Sequence, residues 1–178
     1  MKHVLVVIDM QKDFVDGSLG TKEARQIVPS VVNAINDPKY DTVIATLDTH
    51  DENYLHSQEG KYLPVAHCIK ETDGWQLVKE VKEALDKRHA KVIEKPTFGS
   101  LTLMELLSKE QPEDVTLCGL CTDICVLSNA MLIKTALYQK DVYVLVDATA
   151  GVTPEKKRSA LDAMASGQIQ MINEGEAK

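Results

Sequence analysis

The sequence has no long hydrophobic run, and no cluster of positive charge stands out. Its longest apolar runs, such as residues 4–8, are about five residues, far short of the roughly 18 that a membrane-spanning helix needs. The run after Met1 is also too short and too weakly flanked for a secretory signal. Because no large Lys/Arg cluster is present and the net charge is −7, neither nucleic acid nor an anionic membrane is the expected main partner.

The chain also lacks a disulfide-like arrangement of cysteines, internal repeats, low-complexity tracts and an internal linker. Cysteines without such a framework are typical of the reduced cytoplasm, which is the expected location. With 178 residues, of which 44% are hydrophobic and 26% charged, the composition is that of a globular protein with one sizeable core. We therefore expect a single domain over residues 1–178.

Strand-like and helix-like segments alternate along the chain. The predicted strands are residues 3–9, 41–48, 90–95, 114–120, 141–148 and 169–172. The first, second and fifth are almost continuous runs of β-branched residues and leucine, which is typical of strands buried on both faces of a parallel sheet. The alternation predicts an α/β fold with a six-stranded, mostly parallel sheet, flanked by helices in right-handed crossovers.

Apolar residues at helical spacing mark the segments between these strands. They predict helices over residues 28–35, 75–85, 103–107 and 124–138, and Thr153 before Pro154 predicts the start of another. Residues 49–74 are the exception, a long polar connection without a predicted element of its own. Loops of this length are usually functional or disordered.

Polar or reactive side chains stand where several predicted strands end. They are Asp9, Asp48, Lys95 and Asp147 at strand ends, with Cys121 and Cys125 after the fourth strand. Taken singly, each is explained equally well by the need of a buried strand to end in something polar. Ligands of open parallel sheets bind outside the carboxyl ends of the strands. An acid, a lysine and a thiol gathered there indicate nucleophilic catalysis.

Three of the four cysteines lie close together, and Cys118 and Cys121 are spaced as C-x-x-C. Cys118 lies within a strand and is expected to be a small buried hydrophobe, whereas a redox pair needs its first cysteine at a helix start. A zinc site would need a second ligand pair, and none follows. Cys125 is the expected nucleophile, because a helix capped by Thr122 or Asp123 would favour its thiolate. At Cys121 the backbone N–H is expected to matter more than the sulfur.

A second cluster follows the second strand. It consists of Asp48, His50, His56, Glu59 and His67. The spacing of Asp48 and His50 puts both side chains on the same side of an extended segment. Three of the five histidines of the chain fall in this cluster. Carboxylates with imidazoles suit a divalent transition metal that keeps open positions; the alternative is a histidine-bearing surface loop without an ion.

Five motifs resemble the isochorismatase-like cysteine hydrolase superfamily and, within it, the nicotinamidases. They are VVIDMQKDF with Asp9, DTH with Asp48 and His50, LPVAHC with His67, EKPTFGS with Lys95, and GLCTDICV with Cys125. The resemblance implies a flavodoxin-like sheet of six parallel strands and a catalytic triad of Asp9, Lys95 and Cys125. It also implies an oxyanion hole formed by the backbone N–H groups of Cys121 and Cys125, after a cis peptide bond between Leu120 and Cys121.

The same resemblance implies a metal-assisted amidase without an organic cofactor. The metal would be Zn, Fe or Mn, and its expected ligands are Asp48, His50, His67 and, in preference to His56, Glu59. It would bind the pyridine nitrogen of the substrate. Phe14 matches the position that packs on the substrate ring, but Leu63 stands where nicotinamidases usually have an aromatic wall. The stacking lost there is worth about 0.5–1.5 kcal/mol.

The expected function is hydrolysis of nicotinamide to nicotinate and ammonia, as in NAD salvage, through a thioester on Cys125. An alternative within the superfamily is a metal-independent N-carbamoyl amide hydrolase, whereas isochorismatase chemistry does not use the cysteine. An alternative of another class is a thiol redox or binding protein that uses Cys121 and Cys125. The expected partners are a small amide substrate and further copies of the chain in a homo-oligomer.

Overall fold

Six parallel strands form one sheet, as the alternating pattern predicts. The computed structural model describes residues 1–173. The strands are β1 (His3–Ile8), β2 (Thr42–Asp48), β3 (Lys91–Lys95), β4 (Asp114–Leu120), β5 (Asp141–Ala150) and β6 (Gln170–Ile172). Their order is β3-β2-β1-β4-β5-β6. From β1 the chain continues to β2 and β3 on one side of the sheet, and from β4 to β5 and β6 on the other side. The switch in strand order therefore lies between β1 and β4, and open α/β sheets bind ligands at such a point.

Helices connect the strands in the described part of the chain. They are α1 (Lys12–Val15), α2 (Lys22–Gln26), α3 (Val28–Asn36), α4 (Gln58–Tyr62), α5 (Lys79–Lys87), α6 (Leu101–Glu110), α7 (Leu127–Ala136) and α8 (Pro154–Ser166). A short 3-10 helix (Tyr54–His56) precedes α4, and a π-helical turn (Thr122–Val126) leads into α7. Within residues 1–173, no helix combines the length and apolar character needed to cross a membrane.

The sheet separates two apolar layers, because its central strand is buried on both faces. Leu5 and Val7 pack in the layer that contains α3 and α5. Val4, Val6 and Ile8 point the other way, into the layer that contains α6 and α7. All five side chains are fully buried, as their nearly continuous apolar pattern predicts. Both faces of the strand are thereby used for packing, and only its carboxyl end remains for chemistry.

Two predictions between the second and third strands are wrong. The predicted helix over residues 75–85 begins only at Lys79, because the chain before it is extended and the backbone N–H of Val78 donates to Met10 O (3.0 Å). Residues 49–74 are not without structure, since they contain the 3-10 helix and α4. Both elements are only a few residues long, too short to leave a periodic apolar pattern.

The prediction that Asp147 closes the fifth strand is also wrong. β5 continues past Asp147, which is exposed. The pairing of Leu117 with Val144 jumps to that of Gly119 with Thr149, because β5 bulges between these two pairs. A bulge interrupts the alternation of side chains, so Asp147 lies in its exposed part and not at the end of the strand.

Candidate active site

Asp9, Lys95 and Cys125 lie together at the carboxyl ends of the strands. Asp9 follows β1, Lys95 ends β3, and Cys125 lies in the π-helical turn after β4. The Lys95 Nζ atom lies 2.7 Å from Asp9 Oδ2 and 3.6 Å from Cys125 Sγ. At most 5% of any of these three residues is exposed. An acid, a cation and a thiol therefore share one solvent-excluded site.

Burial controls the ionisation of these three groups. It raises the pKa of Asp9, and the charge of Lys95 opposes this only in part. Burial, assisted by the charge of Asp9, also raises the pKa of the Cys125 thiol well above its usual value. Burial disfavours the Lys95 ammonium, but the negative charges beside it, first that of Asp9 and then that of Asp48, outweigh it and raise the pKa of Lys95. The site therefore combines a protonated thiol, a carboxyl group with increased proton affinity and a permanent positive charge.

The prediction that a capped helix start would favour the thiolate is wrong. The π-helical turn begins after Cys121 without a side-chain cap. The Thr122 hydroxyl instead lies 2.8 Å from the Thr149 hydroxyl, and Asp123 Oδ1 accepts a hydrogen bond from the Val152 N–H (2.9 Å). The turn therefore has no side-chain cap, and burial raises the pKa of the Cys125 thiol.

The three neighbouring cysteines occupy different environments. Cys118 is fully buried in β4, as predicted, and Cys121 follows a cis peptide bond from Leu120. Burial, with a smaller effect of Asp123, raises the pKa of the Cys121 thiol to about 12. Thiol exchange requires thiolate, and burial raises the pKa of both Cys121 and Cys125.

Asp9 is held in position by a neighbouring strand. Its backbone is left-handed, with φ of 47°, a conformation that aspartate tolerates better than most residues. The Thr46 hydroxyl of β2 donates to Asp9 Oδ1 (2.6 Å) and lies 3.3 Å from the Asp9 backbone N–H as its acceptor. This leaves Oδ2 facing the Lys95 ammonium.

A second group converges beside the first. It consists of Asp48, His50, Glu59 and His67, whose ligand atoms all lie within 4.8 Å of one another. His50 Nε2 lies 3.0 Å from Asp48 Oδ2 and 3.8 Å from Glu59 Oε1, and His67 Nε2 lies 3.5 and 3.6 Å from the same two oxygens. Atoms about 2.0–2.1 Å from a tetrahedral ion are about 3.3–3.4 Å apart, and these spacings bracket that value. His56 is exposed and is not part of the group.

Hydrogen bonds orient two members of this group. His67 Nδ1 lies 2.8 Å from Val65 O, which places a proton on Nδ1 and leaves Nε2 as the ligand atom. The Gln11 amide spans the backbone of Asp48, donating to its carbonyl oxygen (2.9 Å) and accepting from its N–H (2.8 Å). Burial disfavours the Asp48 carboxylate, but a hydrogen bond from His50 and the charge of Lys95 hold its pKa well below the usual value. The four residues fit a divalent metal ion.

A pocket of about 780 Å³ borders both groups. Its lining includes Cys125, Asp48, His50, Glu59 and His67. Phe14 and Leu63, the predicted substrate contacts, line the same pocket, together with Phe98. The volume lies within the range of about 300–1,000 Å³ that is usual for small-molecule sites.

Several supporting residues have no role predicted from the sequence. They are Gln11, Thr46 and Asn129. Asn129 Nδ2 donates to Cys125 O (2.8 Å) and Phe98 O (3.0 Å), so that one amide joins the turn of Cys125 to the loop after β3. Gln11 lies inside the VVIDMQKDF motif and could have been found there. Thr46 and Asn129 are internal residues of a strand and a helix, and no sequence signal distinguishes them.

Comparisons with known proteins cover almost the whole chain. The isochorismatase domain family matches residues 3–174. The nicotinamidase of Schizosaccharomyces pombe is 27% identical over 208 residues, which cover 96% of this chain and 92% of the relative. An uncharacterised isochorismatase family protein, PncA, of Bacillus subtilis is 34% identical over 143 residues, covering 74% of this chain and 78% of the relative.

The fold comparison gives the same result. The crystal structure of a Pyrococcus horikoshii pyrazinamidase in complex with zinc aligns with a TM-score of 0.82 and 29% identity. The alignment covers 97% of this chain and 99% of that one. The chain therefore belongs to the isochorismatase family, and within that family it is an amide-bond hydrolase similar to the nicotinamidases.

Proposed function

We propose that the protein is a cysteine amidohydrolase that converts nicotinamide, or a closely related aromatic amide, and water to the carboxylate and ammonia. The observation that carries this proposal is the position of Lys95, whose Nζ lies 2.7 Å from Asp9 Oδ2 and 3.2 Å from Asp48 Oδ1. A nucleophile group and a metal-binding group thus border one pocket. The similarity to a nicotinamidase supports the same class of substrate.

In the proposed first step, Cys125 Sγ attacks the carbonyl carbon of the amide. The sulfur–carbon bond forms while the carbonyl π electrons move to oxygen, and the thiol proton passes to Asp9, whose proton affinity is increased by burial. Asp9 then gives this proton to the leaving nitrogen, the carbon–nitrogen bond breaks, and ammonia departs from a thioester on Cys125. Lys95 stays positively charged and stabilises whichever neighbour is negative.

Water completes the proposed cycle. It adds to the thioester carbonyl while Asp9 takes one of its protons. The carbon–sulfur bond then breaks, the acid leaves, and Asp9 returns the proton to Cys125. In both steps the carbonyl oxygen becomes negative, and the backbone N–H groups of Cys121 and Cys125 are the proposed donors to it. One such donor is typically worth a factor of about 100–1,000 in rate.

We further propose that the group of Asp48, His50, Glu59 and His67 holds one divalent ion of Zn, Fe or Mn. When bound, the ion supplies a Lewis acid that can hold a pyridine-type nitrogen. Two imidazoles and two carboxylates are ligands that all three metals accept, and zinc in the Pyrococcus relative supports this assignment. Burial and the charge of Asp48 raise the pKa of Glu59, so a cation between these carboxylates would be stabilised.

The pocket walls suit a flat ring. The Phe14 ring centroid lies 5.4 Å from that of His67, so an aromatic face borders the metal-binding group. Leu63 offers apolar contact but no π face. We therefore propose that Phe14 provides most of the ring recognition. A ring at position 63 would add about 0.5–1.5 kcal/mol of binding.

Ammonia release tests this function. Metal-replete protein is assayed with nicotinamide, pyrazinamide and several N-carbamoyl amides, with and without a chelator. We expect turnover of the two aromatic amides, its loss with the chelator, and its recovery when metal is restored. Chelator-insensitive turnover of N-carbamoyl amides would instead establish the alternative hydrolase, and no turnover of any amide would refute the proposal.

Two further features belong to this proposal. The four cysteines are free, which suits the reducing cytoplasm as the site of action. Leu101 at the start of α6 is exposed by 62%, and Tyr138 in the turn after α7 by 72%; we propose that exposed apolar side chains of this kind join copies in a homo-oligomer. Light scattering after size exclusion measures the assembly, and a monomer at micromolar concentration would refute it.

A further inference from the structure

We propose that Thr149 is a positioning residue for the oxyanion hole, through a hydrogen-bond chain that holds both sides of the turn at Cys121. This inference rests on the proposed function, because it concerns the same backbone donors. Thr149 lies in β5, outside the five motifs that resemble the superfamily. It is fully buried and is not among the residues that line the pocket. Any effect on chemistry must therefore act through the turn.

The direction of the hydrogen-bond chain follows from which of its groups can donate a proton. The Thr149 hydroxyl donates to Gly119 O at 2.7 Å and lies 2.8 Å from the Thr122 hydroxyl. A hydroxyl has a single proton, and Thr149 uses it on Gly119. Thr122 must therefore be the donor between the two hydroxyls. One side chain of β5 thus contacts the chain on both sides of Cys121, two residues before it and one residue after it.

The bulge in β5 is what brings Thr149 to this place. Leu117 pairs with Val144 but Gly119 pairs with Thr149. Without the shift, the residue opposite Gly119 would be Val146, which has no hydroxyl. Bulges near active sites commonly re-aim a side chain in this way.

Lys157 of α8 forms hydrogen bonds to the backbone of the bulge in β5. Lys157 Nζ of α8 donates to Val146 O and to Thr149 O, each at 2.7 Å. The two acceptors lie three residues apart in β5, so a single ammonium holds the bulged backbone. The support for the turn thus extends from α8 through β5 to Cys121.

Loss of the Thr149 hydroxyl would remove a hydrogen-bond partner from two buried groups. Gly119 O would lose the hydroxyl that donates to it, and the Thr122 hydroxyl would lose its acceptor. Buried polar groups without partners are costly, so the turn is expected to shift until they find others. Displacing a reacting group by about 1 Å can cost roughly 100-fold in rate.

The test compares three variants. We expect Thr149→Val to lower kcat by roughly 10- to 100-fold, with KM changed by less than about threefold, because the donors act mainly in the transition state. Thr149→Ser keeps the hydroxyl and should retain kcat within about threefold. Thr116→Val is the matched control: Thr116 is 1% exposed and lies in β4, paired with Leu5 and Tyr143 away from the pocket. It measures the effect of removing a buried threonine hydroxyl elsewhere, and its kcat should equal that of the wild type.

A second readout does not depend on turnover. An aromatic aldehyde such as pyridine-3-carbaldehyde adds to the Cys125 thiol, forming a sulfur–carbon bond while the thiol proton ends on the aldehyde oxygen, which then occupies the oxyanion position. Protection of Cys125 from alkylation measures this addition. We expect Thr149→Val to weaken it about 10-fold or more, and Thr149→Ser and Thr116→Val to leave it unchanged. Equal protection in all variants would refute the role of Thr149, whereas failure of the wild type to turn over any amide would refute the proposed function.

Discussion

Lys95 Nζ lies 3.2 Å from Asp48 Oδ1 and is thereby in contact with the candidate metal ligands as well as with Asp9. It also donates to Thr97 O at 3.0 Å. One buried ammonium therefore neutralises carboxylates of both groups and holds the loop that follows its strand. Because Asp9, Cys125 and the candidate metal ligand Asp48 share this one cation, we expect them to act as a single electrostatic unit, in which a change at one group affects the other.

Removing the Lys95 charge tests this unit. Because Lys95→Met leaves Asp9 and Asp48 buried without their cation, we expect a loss of about 3–5 kcal/mol in the free energy of unfolding. We also expect at least about 100-fold lower kcat. Lys91→Met, at the exposed start of the same strand, is the control and should change neither quantity. Urea unfolding and ammonia release provide the measurements; wild-type activity of Lys95→Met would contradict its proposed role.

The two cysteines at the turn are expected to differ sharply. Cys125→Ala should lower turnover by at least about 1,000-fold, because it removes the nucleophile. Cys121→Ala should retain turnover within about threefold, because the proposed donor is its backbone N–H. A thiol redox pair predicts instead that both substitutions are equally damaging. Steady-state ammonia release and trapping of the thioester by mass spectrometry distinguish the two outcomes.

Glu59 and His56 are only three residues apart but should differ in metal binding. Glu59→Gln removes a carboxylate from the group of converging ligand atoms. Loss of a residue that only hydrogen-bonds to a metal ligand typically weakens metal binding by roughly 10- to 100-fold, and we expect loss of the ligand Glu59 to raise the metal Kd by more than this. His56→Gln changes an exposed side chain and should leave the Kd unchanged. Competition with a chromogenic chelator gives both values. The reverse order would assign the fourth ligand to His56.

His3 makes stability depend on pH far from the site. Its Nδ1 lies 2.6 Å from Asp114 Oδ2, and this hydrogen bond raises the pKa of His3. Since the folded protein holds the proton more tightly than the unfolded chain, the stabilisation is complete below the unfolded pKa of about 6.5 and is lost as pH rises through the higher folded pKa. Because 36% of the His3 side chain is exposed, the effect should stay below about 1 kcal/mol.

The measurement for His3 is urea unfolding at two pH values. At about pH 5.5 we expect the free energy of unfolding of the wild type to be larger than that of His3→Gln. At about pH 8 we expect this difference to be smaller. His89→Gln controls for histidine substitution in general. A difference that grows with rising pH would contradict the assignment of the His3 proton to this pair.

The sequence predicts the sheet well because its strands are strongly patterned. Residues 4–8 of β1 are fully buried, and a strand buried on both faces must be apolar at nearly every position. The predictions that fail concern short or irregular elements. The 3-10 helix and α4 have too few residues to show a period, and the bulge of β5 has no signature in its own composition. The order of the strands likewise depends on contacts between segments distant in the chain.

By itself, the sequence determined which residue types are available for chemistry and at which strand ends they stand. Strand burial is set by local apolar pattern, and the functional motifs are short and contiguous. Only the tertiary structure decided the ionisation of Cys125, the contact of Lys95 with Asp48, and the support of the Cys121 turn by Thr149. These depend on desolvation and on distances of a few ångströms between residues far apart in the chain, which local pattern does not encode.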